Sequence, residues 1–171
     1  MDLKLSGHNV IITGGTKGIG RAIAETLASE GCNVGICARS EDDVTSAVAA
    51  LSEKGVKVTG KALDVADGDA FAAWIQEAGE ALGGIDAFVS NVAGSNAPGD
   101  EGWISQFNYN ILSAVHGVEA CKPFFKESTN PSVVMISTTA ALEHFMNAGP
   151  YNAMKAGLLN YSGALSQELG A

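Results

Sequence analysis

The stretch Val10-Ile11-Ile12-Thr13-Gly14-Gly15-Thr16-Lys17-Gly18-Ile19-Gly20 decides the fold of this 171-residue chain. Its first four residues are β-branched and predict a short buried strand. A glycine-rich turn follows, and a helix-favouring segment then continues to about Ser29. A buried parallel strand that enters a helix through a glycine-rich turn is the first half of a nucleotide-binding βαβ unit. The stretch therefore predicts a dinucleotide-binding α/β fold.

The three glycines of the pattern Gly-x3-Gly-x-Gly have different expected uses. Gly14 permits a tight turn, Gly18 lets the backbone approach a diphosphate, and Gly20 lets the helix pack close to the strand. The free N–H groups at the helix start then face the anion. Glycine-rich turns at helix starts also have purely structural uses, but the position directly after the first strand favours phosphate binding.

The second predicted strand, Asn33–Ala38, is followed by Arg39. In a doubly wound sheet the carboxyl end of this strand lies beside the adenosine ribose, and an acidic residue there would hold the 2′-hydroxyl. Arg39 instead matches a phosphate in geometry and charge, and Lys17 is placed to add a second cation. The pair predicts NADP in preference to NAD. The alternative is that Arg39 is a solvated arginine at the start of a loop.

The remaining sequence alternates strand and helix patterns. Further strands are predicted over Val56–Leu63, Asp86–Ser90 and Ser132–Ile136, and further helices over Glu41–Glu53, Asp67–Leu82, about Trp103–Phe125 and Tyr151–Leu169. This alternation predicts the α/β class, with a doubly wound parallel sheet (Rossmann fold) in a single domain over residues 1–171. The first three strands are expected in the order 3-2-1, with the later ones on the other side.

Polar and small residues follow the later strands, at the edge where parallel sheets bind ligands. Asp64 can accept from an adenine amino group, or it merely caps a turn or the next helix. The run Asn91–Gly94 offers small residues against which a ribose and a nicotinamide can lie. The segment Ser95–Gly102 is a predicted loop. Ser137-Thr138-Thr139 brings three hydroxyls to the end of the fifth strand, and two of them are expected to bond only to local backbone.

Tyr151 and Lys155 are four residues apart, about one helical turn, so both side chains leave the same helix face. A neighbouring cation lowers a tyrosine pKa from its usual value of about 10, which makes the pair a candidate general acid or base. The same spacing also arises on solvated helices. Asn110 lies within a helix pattern, where asparagine is unfavourable, so it has a packing or a functional reason. His144 is interpreted as a substrate-loop residue, with a surface histidine the better supported alternative.

Composition excludes several other functions. The formal net charge of −9, without a run of basic residues, argues against nucleic-acid binding. Three cysteines, Cys32, Cys37 and Cys121, lie among apolar neighbours and are typical of a reduced, cytoplasmic protein. No cysteine or histidine spacing suggests a metal site, and no apolar run approaches the eighteen or so residues of a membrane span. A soluble cytoplasmic protein without a targeting segment is expected.

Taken together, these motifs give a sequence that resembles the short-chain dehydrogenase/reductase family over essentially its whole length. The matching features are Thr13-Gly14-x3-Gly18-Ile19-Gly20, Asp64-Val65, Asn91-Val92-Ala93-Gly94, Asn110, the hydroxyl-rich strand end and Tyr151-x3-Lys155, all in the order of the family. The resemblance implies cofactor contacts at Gly14, Thr16, Lys17, Gly18, Ile19, Gly20, Arg39, Asp64, Val65, Asn91, Ala93, Gly94, Tyr151 and Lys155.

The resemblance also implies an NADP-dependent carbonyl reductase, with 3-oxoacyl groups among its substrates. In such an enzyme Tyr151 would donate a proton to the carbonyl oxygen as hydride leaves the nicotinamide. Lys155 would lower the pKa of Tyr151 and hold the nicotinamide ribose, and Asn110 would position a water that links Lys155 to solvent. The hydroxyl that orients the carbonyl is usually a serine thirteen residues before the tyrosine. Thr138 occupies that position here, and Ser137 is the alternative if the loop is one residue longer.

Members of the family normally continue through a further strand, a substrate-covering segment and a last strand, whereas this sequence ends at Ala171. A fragment or a truncated form that lacks the carboxyl-terminal strands is therefore expected, and a non-catalytic dinucleotide-binding module is the alternative function. In the family, the helices corresponding to those that begin near Trp103 and Tyr151 pair between subunits. The implied partners are a small carbonyl or alcohol substrate and further copies of the chain in a homodimer or homotetramer.

Overall fold

A computed structural model describes residues 3–143 and 149–170 of the chain. Five strands are present in the order β1 (Asn9–Thr13), β2 (Asn33–Ala38), β3 (Val58–Ala62), β4 (Ala87–Ser90) and β5 (Ser132–Met135). Six α-helices accompany them in the described ranges, namely α1 (Gly18–Ser29), α2 (Glu41–Ser52), α3 (Gly68–Leu82), α4 (Asp100–Phe107), α5 (Ser113–Phe125) and α6 (Gly149–Leu169). All strand pairs are parallel, and the order across the sheet is β3-β2-β1-β4-β5. The predicted α/β class and doubly wound sheet are confirmed.

The alternation of side chains along β1 builds two cores. All five residues of this strand are buried. Ile11 faces a cluster formed with α3, α5 and α6, whereas Val10 and Ile12 face a second cluster formed with α1 and α2. Because successive side chains of a strand point to opposite faces, an uninterrupted apolar run is what a strand covered on both faces requires.

The strand register brings the carboxyl ends of the strands to one edge of the sheet. Thr13 of β1 pairs with Cys37 of β2, and Ser90 of β4 pairs with Met135 of β5. The residues that leave these strands therefore lie side by side. This edge carries the glycine-rich turn after β1 and the hydroxyl-rich segment after β5, and it is where open parallel sheets bind their ligands.

The helix predicted over Trp103–Phe125 differs in the structure. It begins earlier, at Asp100, so the predicted loop Ser95–Gly102 is shorter than expected. Two acidic residues in the first turn, Asp100 and Glu101, favour a helix start at this point.

The same helix is also interrupted in its middle. A five-residue π-helical turn (Asn108–Leu112), called the π-turn below, separates α4 from α5. The side-chain amide of Asn110 donates to the backbone carbonyl of Gln106, four residues earlier, at 3.0 Å. In an α-helix that carbonyl accepts from a backbone N–H, so the competing side chain accounts for the slip to the wider turn.

Two glycines in helices give a matched test of the packing between α5 and the sheet. A Cβ on Gly117 would collide with the ring of Phe88 on β4, whereas a Cβ on Gly163 of α6 would meet nothing within 4 Å. We expect Gly117→Ala to lower the free energy of unfolding by about 1–3 kcal/mol, because overpacking outweighs the gain in helix propensity. Gly163→Ala should raise it by about 0.5–1 kcal/mol. Urea denaturation measures both, and equal stabilities for the two variants would contradict this account of the packing.

Candidate active site

The glycine-rich turn is held in place by hydrogen bonds from the neighbouring strands. The backbone N–H of Asn91 donates to the Thr13 hydroxyl at 2.9 Å, and the Asn91 side-chain amide donates to the Thr13 carbonyl at 3.0 Å. The N–H of Gly14 donates to the Cys37 carbonyl at 2.9 Å. These bonds attach the turn to the ends of both β2 and β4. Asn91, which was predicted as a cofactor contact, thus holds the glycine-rich turn in place through Thr13.

The conformation of the turn suits an anion. Gly14 and Gly18 both have positive φ, 67° and 54°, which favours glycine. A Cβ on Gly20 would collide with the Gly14 carbonyl, so the close packing predicted for Gly20 is present. The backbone of Lys17 is extended at the start of α1, and no side chain caps the helix. A Cβ on Gly18 would meet nothing within 4 Å, so the uncapped helix start faces open space. The turn therefore fits a diphosphate.

The two cations expected at the adenosine end have different surroundings. Arg39 is exposed after β2, at the predicted place. Lys17 forms an ion pair with Asp43 of α2 at 2.7 Å. Of its chain neighbours, Gly18 is exposed and Thr16 is partly buried. The hydrogen bond from Lys17 lowers the pKa of the Asp43 carboxyl below its usual value. Lys17 thus has an acidic partner, whereas the Arg39 guanidinium lies beside the Tyr109 hydroxyl.

Asp64 has a partner that the sequence analysis missed. The hydroxyl of Tyr109, in the π-turn, donates to Asp64 Oδ2 at 2.6 Å, while Asp64 Oδ1 accepts from the N–H of Ala66 at 3.0 Å. Burial and the Asp64 carboxylate raise the pKa of Tyr109, and the nearby Arg39 guanidinium opposes the shift. Asp64 therefore caps a local turn, as one alternative held, whereas the cap of α3 is Asp67. No spacing in the sequence connects Tyr109 with Asp64.

Four further predicted cofactor contacts differ in what they expose. The side chain of Val65 is buried in the core, so only its backbone could meet a ligand. Ala93 is exposed. A Cβ on Gly94 would lie 2.5 Å from the Ser105 carbonyl of α4, so a glycine is required there for helix packing. Ile19 is 62% exposed at the start of α1.

Tyr151 and Lys155 lie one turn apart on α6, as predicted. Lys155 is buried, with 2% of its surface exposed, and its ammonium donates to the carbonyl of Ile136 at 2.6 Å. Burial lowers the pKa of Lys155 to about 8. Tyr151 is half-buried. The hydrogen bond to Ile136 anchors the Lys155 ammonium at the carboxyl end of β5, beside the hydroxyl-rich segment.

The two candidate hydroxyls after β5 have different partners. Thr138 Oγ1 accepts from the N–H of Ala140 at 3.3 Å, at the start of a short 3-10 turn (Thr139–Ala141). Ser137 Oγ is buried and has no hydrogen-bond partner among the described residues. A threonine oxygen that accepts one bond still has its proton to donate, so both hydroxyls remain candidates. His144 lies outside the described residues.

Asn110 is buried in the π-turn, with 1% of its surface exposed. Its Nδ2 donates to the carbonyl and to the side-chain Oε1 of Gln106, at 3.0 and 2.5 Å. Its Oδ1 is buried without a partner among the residues that the structure describes. These bonds give the asparagine a packing reason, one of the two alternatives, and the functional reason stays a prediction. Gln106 was missed, although a glutamine among the apolar positions of a helix is a visible signal.

The predicted residues form two groups along the same edge of the sheet. The glycine turn, Arg39 and Asp64 follow β1, β2 and β3, whereas Ser137 and Lys155 lie at the end of β5. Within the described ranges, 3–143 and 149–170, no cluster of side chains could hold a metal ion. None of the described helices is long and apolar enough to cross a membrane.

Comparisons with known proteins give the family. The model of the family described as short chain dehydrogenase matches residues 8–171. Dehydrogenase/reductase SDR family member 4 of Oryctolagus cuniculus is 34% identical over 173 residues, which cover 98% of this chain and 66% of that protein. The chain thus spans slightly less than two thirds of the length of this relative.

Solved structures agree in fold. The structure of L-sorbose reductase from Gluconobacter frateurii, complexed with NADPH and L-sorbose, matches with a TM-score of 0.93 and 31% identity, over 99% of this chain and 66% of that one. A short chain dehydrogenase from Mycobacterium paratuberculosis bound to NAD has the same fold at a TM-score of 0.90 and 23% identity, over 98% of this chain and 69% of that one. With a family model that matches residues 8–171, the chain belongs to the short chain dehydrogenase family of oxidoreductases.

Proposed function

We propose that the chain is the cofactor-binding and proton-transferring domain of an NADP-dependent carbonyl reductase, which interconverts a ketone and a secondary alcohol. The observation that carries the proposal is Lys155, a buried ammonium one helical turn after Tyr151 and hydrogen-bonded at the end of β5. Burying a lysine is costly, and the pKa of about 8 puts its titration near working pH. Ketones that include 3-oxoacyl groups are the proposed substrate class.

The proposed cofactor is NADP. The uncapped start of α1 would hold the diphosphate through the N–H groups of Gly18 and Ile19, and Arg39 would meet the 2′-phosphate. Asp64 would accept from the adenine amino group, and the nicotinamide end would lie along Asn91–Gly94 toward α6. L-sorbose reductase, 31% identical, was solved with NADPH, which supports the choice.

A bound nicotinamide cofactor supplies the hydride, and the chain supplies the proton and the orientation. Tyr151 would donate its phenolic proton to the carbonyl oxygen of the substrate. Lys155, protonated, would favour the phenolate that forms and hold the ribose of the cofactor. Thr138 or Ser137 would donate a hydrogen bond to the same oxygen, and Asn110 would position a water that resupplies the proton through Lys155.

We further propose that the enzyme is cytoplasmic and works as a homodimer or homotetramer. Large apolar side chains are exposed on α4 and α6, among them Trp103, Ile104, Phe107 and Leu159. Exposed apolar groups of this kind are typical of surfaces that a partner covers. The described cysteines are all free, which agrees with a reducing compartment.

Tyr151→Phe tests the proton donor. We expect turnover of NADPH with a ketone panel to fall by about 10²–10⁴-fold, because the ring without its hydroxyl has no proton to transfer. NADPH binding, followed by the fluorescence of the cofactor, should stay within about twofold, since phenylalanine preserves the packing. Tyr161→Phe, ten residues later on the same helix, is the matched control and should retain full turnover. Unchanged turnover in Tyr151→Phe would refute the proposal. If the unaltered protein binds NADPH but does not turn it over, a non-catalytic dinucleotide-binding module is favoured instead.

Thr138→Ala and Ser137→Ala separate the two candidate hydroxyls. The spacing of thirteen residues to Tyr151 favours Thr138, so we expect Thr138→Ala to lower turnover by about 10²-fold, as loss of one oxyanion donor does. Thr138→Ser should retain turnover within about threefold because it keeps the hydroxyl. Steady-state kinetics measures both. A larger loss in Ser137→Ala than in Thr138→Ala would assign the role to Ser137 instead.

Arg39→Ala tests the cofactor preference. Removing a charge-assisted contact to the 2′-phosphate should raise the dissociation constant of NADPH by about 10- to 100-fold and leave that of NADH unchanged. Titration calorimetry with both cofactors measures the difference. Lys61→Ala removes an exposed cation of β3 that pairs with Glu77 and should change neither constant. Equal weakening of NADPH and NADH in Arg39→Ala would show that Arg39 does not read the 2′-phosphate.

A further inference from the structure

We infer that Gln106 is a positioning residue that fixes the orientation of the Asn110 side chain, so that the free atom of Asn110 is a hydrogen-bond acceptor. The inference rests on the proposed function, in which Asn110 holds a water next to Lys155. It concerns a residue of α4 that no motif includes and that acts only through its neighbour.

The orientation of the Gln106 amide is set by two acceptors. Gln106 is fully buried, with 0% of its surface exposed. Its Nε2 donates to the Gly94 carbonyl at 3.0 Å and to Asn96 Oδ1 at 2.7 Å, so both protons of the amide are used. Turning the amide over would place Oε1 against the backbone carbonyl oxygen of Gly94, which cannot become a donor. The oxygen of Gln106 is therefore committed to the side that faces Asn110.

This oxygen in turn sets the orientation of Asn110. Both protons of Asn110 Nδ2 go to Gln106, one to its carbonyl and one to its Oε1. The remaining polar atom, Oδ1, is buried and has no partner in the described part of the chain. A buried acceptor without a partner costs free energy, and a water or a ligand proton would relieve that cost. Asn110 thus offers an acceptor, and cannot offer a donor while Gln106 is in place.

The polarity of this acceptor suits a lysine on the helix that packs against the π-turn. The π-turn that carries Asn110 packs against α6. Lys155 on that helix uses one N–H for the Ile136 carbonyl and has two left when protonated. A water that donates to Asn110 Oδ1 keeps its lone pairs for the ammonium. If Asn110 were turned over, it would donate to the water, which would then have one lone pair left for the ammonium instead of two.

A double-mutant cycle tests whether Gln106 acts through Asn110. Gln106→Met keeps the length of the side chain and removes its hydrogen bonds, and Asn110→Leu removes the acceptor. We expect Gln106→Met alone to lower kcat about tenfold, the effect of one hydrogen bond, with the KM for NADPH within about twofold. In the Asn110→Leu background the same substitution should have no further effect on kcat. Gln76→Met, which removes an exposed glutamine that pairs with Glu80, is the control and should leave kcat unchanged.

Additive effects of the two substitutions, or a rise in KM without a fall in kcat, would overturn the inference, because a purely structural role of Gln106 predicts those outcomes. If a variant does not fold, a measurement on the unaltered protein still tests the inference. The side-chain amide protons of Gln106 and Asn110 should exchange with deuterated water at least about 100-fold more slowly than those of the exposed Asn130. Equally fast exchange would also overturn it. A protein that neither binds nor oxidises NADPH would refute the proposed function, while the exchange rates would still decide how Asn110 is held.

Discussion

Thr13 joins the two halves of the sheet at the edge where the site forms. Its hydroxyl accepts from the N–H of Asn91 at 2.9 Å, its carbonyl accepts from the side chain of the same residue, and it ends the strand that pairs with both β2 and β4. The glycine turn begins at the next residue, so its position is set relative to both neighbours. A diphosphate site needs N–H groups that do not reorganise on binding, and this anchoring provides them.

Along the same edge, polar groups are buried at positions where apolar side chains would make the fold more stable. Lys155 is the clearest case, because its pKa falls from an ordinary value of 10.5 to about 8 in the folded protein. Between about pH 8 and pH 10.5 the folded state therefore binds fewer protons than the unfolded state, and the free energy of unfolding rises with pH in this range. Below about pH 8 the full cost of the buried charge remains. A lysine that destabilises the fold at neutral pH calls for another reason to be there, and the proposed reason is proton transfer beside Tyr151.

The sequence was sufficient for the features that depend on local pattern. The bounds of β2 were predicted without error, and the turn glycines and the Tyr151–Lys155 helix were placed correctly. The missed features depend on contacts between distant residues. Nothing in a periodic pattern shows that Tyr109 reaches Asp64, 45 positions away, or that Asp43 takes Lys17 as its partner. The π-turn was missed because it results from one side-chain amide competing for a backbone carbonyl.

Three residues break the local rules of their elements, and these three elements pack against one another. Asn110 is polar inside a helix, Gln106 is polar at a buried position of α4, and Lys155 is charged at a buried position of α6. The amide N–H groups of Asn110 and Gln106 and one N–H of Lys155 have protein partners, which limits the cost. Asn110 Oδ1 is nevertheless left as a buried acceptor without a partner among the described residues. A sequence folds well when each residue suits its local structure. Residues that do not suit it, and that lie in elements packed against one another, therefore indicate a function in that region. The proposed proton transfer accounts for an acceptor, an ammonium and a phenol one turn before it, whereas packing alone would be better served by apolar side chains at Asn110, Gln106 and Lys155.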